Sequence, residues 1–204
     1  MKKRDIEIIK KALSKLVGQS LRDAYRFAGA SIHFGFGDML EDDCFYKDES
    51  GKLARDESGK LLRRKSLRPK YALRNECAMR VTCGNEILFA KADIFLPNTK
   101  LMKKANIEND GIFDWKAFDW DVVGDNYFDE MIEKYIGDDP FEFVVKKIDV
   151  SKFGDLKISF ENGFVLELFV DGSGGEESWR FFDVFSEERH LVVLGDGIED
   201  ASEE

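Results

Sequence analysis

The chain has 204 residues with 43% hydrophobic and 35% charged side chains, a balance that excludes global disorder and permits a sizeable buried core. Its formal net charge of −10 is unevenly spread: residues 1–37 carry 8 Lys/Arg against 3 Asp/Glu, residues 46–75 carry 10 against 4, and residues 76–204 carry 13 against 30. This acidic bulk argues against a nucleic-acid partner and favours a basic one, and no apolar run is long enough to span a membrane.

Phenylalanine is abundant, 18 against 5 Tyr and 3 Trp, so most of these rings should be interior. The three cysteines, Cys44, Cys77 and Cys83, form no zinc or redox spacing and read as reduced thiols of a cytoplasmic protein. The N-terminus is basic but lacks the apolar stretch of a signal peptide.

In chain order, Ile6, Ile9, Leu13, Leu16 and Val17 recur at helical spacing and predict a helix over 4–17 that Gly18 ends. Strands follow through Phe27, Ile32, Phe34 and Phe36 to Gly37. Residues 38–74 read as an exposed insertion, a loose hairpin containing the small repeat Asp48–Leu53 and Asp56–Leu61. Its basic run, Arg63 to Lys65 with Arg68 and Lys70, reads as a solvated loop, with contact to an acidic partner or phosphate as the functional alternative.

Residues 99–125 form an aromatic-acidic connector. Phe113, Trp115, Phe118 and Trp120 are its candidate protein-binding residues. They serve equally as a plug between β-rich units, a role expected for at least two of the four. A second helix is predicted over 126–136, with Asp125 or Asn126 capping its start, Gly137 ending it and Pro140 beyond. Asp129 and Glu133 should share its solvated face. Strands follow over 141–150 and through Leu156, Ile158 and Phe160 to an Asn162-Gly163 hairpin turn. The glycine-rich stretch from Asp171 to Glu176 lacks a P-loop ending and joins two strands. The tail 199–204 should be disordered.

The halves echo one another. Phe27, Ile32, Phe34 and Gly37 match Phe153, Ile158, Phe160 and Gly163; Met79-Arg80 matches Trp179-Arg180; and Ile87, Phe89 and Ile94 match Leu191, Val193 and Ile198. The expected fold is therefore α+β: two degenerate copies of a mostly antiparallel β-unit, 1–98 and 126–198, each preceded by one helix. Trp179 is the expected core anchor, and Arg180 should meet an acid on the opposite face, as should its counterpart Arg80.

The run from Leu156 to Gly163, Leu166 to Phe169, Glu177-Ser-Trp-Arg180, Leu191 to Val193 and Gly197-Ile198 resembles small bacterial domains of unknown function, some of them similar to immunity proteins of polymorphic toxin systems. The resemblance implies structural motifs and brings no catalytic residue.

No metal or cofactor motif is present, and no catalytic residue is assigned. His33 and His190, on predicted strands, should be solvated. Three functional readings follow. The first is a non-catalytic, inhibitor-like or immunity-like factor for a basic protein. The second is an enzyme with a site between the copies, using His33 or His190. The third is a homo-oligomer subunit joined through a strand edge or the 38–74 insertion.

Overall fold

A computed structural model describes residues 1–27, 29–46, 52–56, 58–108, 111–137 and 142–199. The first helix, α1 (Lys3–Leu13), buries Ile9 and Leu13, then tightens into a 3₁₀ turn over Ser14–Leu16 that buries Leu16. Gly18 follows at φ +80°, a conformation that side-chain-bearing residues rarely adopt. The helix thus ends earlier than its apolar spacing predicts, because i+3 bonding takes over in its last turn.

Five strands follow: β1 (Leu21–Arg26), β2 (Ile32–Phe45), β3 (Arg63–Asn75), β4 (Ala78–Cys83) and β5 (Glu86–Ala90). Next come α2 (Thr99–Glu108) and α3 (Tyr127–Ile136). The chain closes with β6 (Val145–Val150), β7 (Leu156–Phe160), β8 (Phe164–Phe169), β9 (Glu177–Asp183) and β10 (Leu191–Leu194). The class is α+β, with every strand pair antiparallel.

The strands form two five-stranded sheets, ordered β1-β2-β3-β9-β10 and β5-β4-β8-β7-β6. This corrects the expected division into one β-unit per half. Each sheet takes three strands from one half and two from the other, and the two orders correspond strand for strand. The exchange happens at Glu76 and Cys77, where the chain leaves β3 and crosses to the opposite sheet as β4. The glycine-rich stretch from β8 to β9 makes the equivalent crossing.

The two crossings are bonded together. The backbone N–H groups of Glu76 and Cys77 donate to the Ser178 carbonyl at 2.8 and 3.0 Å, and that of Ala78 donates to the Asp171 carboxylate at 3.1 Å. Fully buried Asn75 supports them by donating to the Cys77 carbonyl at 2.8 Å and accepting from the Cys77 thiol at 3.0 Å. Burial pushes that thiol's pKa up to about 12, so it stays protonated and keeps donating.

The ladders also correct the predicted correspondence of the first hairpins. Phe34 lies opposite Leu73 and Ile158 opposite Leu166. With Arg80 matched to Arg180, Phe34 corresponds in topology to Ile158 rather than to Phe160. A shift of two residues leaves every side chain on its own face, so alternation alone could not distinguish the registers.

One continuous core joins the inner faces of both sheets, with Phe34, Phe36, Leu73 and Trp179 from one and Phe89, Leu156, Ile158 and Leu168 from the other. α3 packs against β1 of one sheet and β5 of the other, while α1 packs along β6.

The described residues of 38–74 do not form a loose excursion. Beyond a bulge between Phe36 and Met39, β2 and β3 pair regularly from Met39↔Pro69 to Phe45↔Arg63, forming a ribbon-like arm. Ion pairs cross it, Lys65 to Glu41 at 2.6 Å and Arg68 to Asp42 at 2.8 Å. The basic run that reads as a solvated loop is therefore part of a strand, its charges placed opposite those of β2. Part of the arm's tip, including residues 48–51 and 57 of the small repeat, lies outside the described residues, as do Pro140 and residues 200–204 of the tail.

Candidate functional site

The connector folds onto α2, an element the sequence reading missed. Its signal was Asn98, whose side-chain oxygen accepts the Leu101 backbone N–H at 2.8 Å and caps the helix, followed by Leu101 and Ala105 one turn apart. Leu101 and Ala105 line a depression of about 310 Å³ together with Phe113, Ala117 and Phe118.

The predicted aromatic residues divide. Phe113, Trp115 and Phe118 touch one another edge to face, with ring centroids 5.1, 6.0 and 6.3 Å apart. Trp115 is 58% exposed. Trp120 leaves this group, packs edge to face on Phe95 at 5.2 Å and joins the margin of the main core. Only Trp120 therefore takes the plugging role expected of at least two, because Phe113 and Phe118 find their apolar neighbours on α2. Asp114, Asp119 and Asp125 line the same depression as Phe113 and Phe118, with Lys104 on its α2 side.

A buried polar network holds the connector in place. Arg26, at the end of β1, has a fully buried side chain. It makes five hydrogen bonds, two to the Asp129 carboxylate, two to Asp121 and one to the Gly29 carbonyl. Asp129 also accepts from the Gly124 backbone N–H at 2.9 Å and from the Asn126 side chain at 2.8 Å. Asn126 is the predicted cap of α3, accepting from the Asp129 backbone N–H at 2.8 Å. Asp129 thus does not lie on a solvated helix face. Its side chain is 10% exposed and pairs with a cation from a strand 103 residues earlier, which helical spacing cannot reveal. The Gly29 backbone N–H, then Arg26, hold the Asp121 carboxyl below its ordinary pKa.

No family model, curated protein or solved structure matches this chain.

The histidines do not form a shared site. His33 is buried, contrary to the expectation of a solvated strand position. Its ring stacks on Tyr25 at 4.6 Å and lies 3.8 Å from Asp23. Alternation does turn it away from Ile32 and Phe34, but the outward face of this sheet is itself covered at that point by Tyr25 and Phe27. His190 immediately precedes β10, two strands beyond β3 in the same sheet, and its ring stacks on Phe182 at 4.0 Å. Carboxylates near it are already engaged, Glu177 by Arg180 and Glu199 by Arg189. Among the described residues no cluster of side chains could hold a metal ion.

Trp179 is fully buried, and its indole N–H donates to the Gly154 carbonyl at 3.1 Å. Arg180 pairs with Glu177 on the other face, and Arg80 pairs with Glu167 at 2.7 Å.

Burial, then the charges of Arg68 and Arg74, push the His33 pKa down to about 4 from 6.5. Between these values the unfolded chain takes up a proton that the folded one refuses, so stability is full above pH 6.5 and falls as pH drops toward 4. The loss should reach about 3 kcal/mol. Asp23, its pKa raised by burial, works in the opposite sense at the acidic end of the window. Urea unfolding at the two pH limits should show a steeper fall for the native chain than for His33→Phe, which keeps the ring stack; equal falls would show that His33 does not set the slope.

Proposed function

We propose that this protein is a non-catalytic binding factor, inhibitor-like or immunity-like, which takes a basic partner protein onto Phe113, Trp115 and Phe118. The observation that carries this reading is the exposed Trp115, held edge to face between two phenylalanines that line a depression with Asp114 and Asp119. A large, preordered ring with an acidic surround suits a partner that offers an apolar pocket edged by Lys or Arg. The support of Arg26, Asp121 and Asp129 keeps the connector ordered before binding, which lowers the entropy lost on association. Three free cysteines accord with a reducing, cytoplasmic setting. We read the strand-for-strand correspondence of the sheets as the trace of an internal duplication in which strand pairs were exchanged.

The test is retention of basic proteins by the immobilised native chain and by Trp115→Ala, which should unfold at the same temperature. A basic partner held by the native chain should bind Trp115→Ala about thirtyfold more weakly, or about 2 kcal/mol. Equal retention by both, or no selective retention at all, refutes the reading.

A further inference from the structure

Net charge averages over the whole surface, but the fold sorts cations onto one strand. The extra residue at the bulge lies on β2, between Phe36↔Tyr71 and Met39↔Pro69, so β3 runs from the sheet into the arm with its alternation unbroken. Alternation places Arg64, Arg68, Lys70 and Arg74 on one side of β3, the side where Arg74 has His33 and Arg180 directly opposite it.

Much of this charge is available. Among the described residues Arg64 and Lys70 pair with no carboxylate and lie instead over the rings of Tyr46 and Tyr71, at 5.7 and 5.2 Å. Arg68 gives one bond to Asp42. Arg74 uses only Nε, toward Ser31 and Glu76, so its terminal nitrogens keep their donors. Exposed aromatic rings stand beside the row: Tyr25 at 40%, Phe27 at 37% and Tyr46 at 47% exposure.

We propose that this face binds single-stranded nucleic acid, with phosphates following β3 and bases stacking on Tyr25, Phe27 and Tyr46. Along β3 these cations stand four, two and four residues apart, about 13.6, 6.8 and 13.6 Å, so an extended phosphate chain meets them at one- and two-step intervals. A row one strand wide suits one backbone rather than the two of a duplex. Tyr25, Phe27 and Tyr46 pack against His33, Arg74 and Arg64 in turn, and the parts of the rings left exposed reward unstacked bases, which an acidic peptide does not offer.

Fluorescence anisotropy with labelled 15-residue oligo-dT and oligo-rU tests the proposal. Binding should appear below about 100 µM at low salt and weaken steeply as salt rises. Arg64→Glu with Arg68→Glu should abolish it, and Tyr25→Ala with Tyr46→Ala should weaken it about tenfold. Both pairs lie on exposed or half-exposed positions, and thermal unfolding checks that the variants fold. No binding by the native chain, equal binding by folded variants, or equal displacement by duplex DNA or polyglutamate each overturns the proposal. Trp115→Ala should leave oligonucleotide binding unchanged, which separates this surface from the protein-binding cluster.

Discussion

Arg26→Ala is expected to destabilise the protein by about 3–5 kcal/mol, the range for removing one member of a buried ion pair. Five hydrogen bonds disappear together. The larger effect is what stays behind: Asp129, 10% exposed, would be left with only the Gly124 N–H and the Asn126 amide as partners. The loss should also reach the candidate binding site, because Asp121 and the Trp120 carbonyl belong to the same network. Urea unfolding gives the stability, and hydrogen exchange over 111–125 gives the local effect. Arg26→Ala combined with Asp129→Leu should recover part of the stability, since the stranded charge is gone. A loss below about 1 kcal/mol for the single variant would show that the pair contributes no more than a surface one.

Trp179→Ala should cost about 3–5 kcal/mol, because a fully buried indole leaves a cavity that its neighbours cannot close. Trp179 sits on β9 of one sheet, yet its N–H bonds to Gly154, in the turn between β6 and β7 of the other. Trp179→Phe refills most of the volume but strands the Gly154 carbonyl, so an intermediate loss of about 1–3 kcal/mol is expected. If both variants unfold at the same urea concentration, the hydrogen bond rather than packing is the dominant contribution.

The sequence was most legible where local rules act alone. Asn126 caps the start of α3 through its side chain, and Gly18 takes its positive φ just beyond the 3₁₀ turn that follows α1. Leu156, Ile158 and Phe160 alternate against a single core and are found buried as their period demands. What stayed hidden depended on partners distant in the chain. The order of the strands within each sheet was invisible because β4 and β9 carry the same alternation whichever sheet they join. Arg26 read as an ordinary strand cation, since Asp129 and Asp121 lie about a hundred residues away. His33 read as solvated because alternation gives a face and not what covers it. Trp115 and Trp120, five residues apart, read as one patch, and only the position of Phe95 shows that the second ring turns to the margin of the core.

The exchanged strands also bear on how the molecule is made. During synthesis β3 and β4 emerge before β8 and β9, so the edges of Tyr71–Asn75 and Ala78–Cys83 wait for partners about a hundred residues downstream. A nascent N-terminal half therefore exposes two unfinished sheets, each ready to accept a strand from a neighbouring ribosome's product. Neither half closes by itself, and a chain cut in the connector would yield two fragments that complete one another rather than two independent domains.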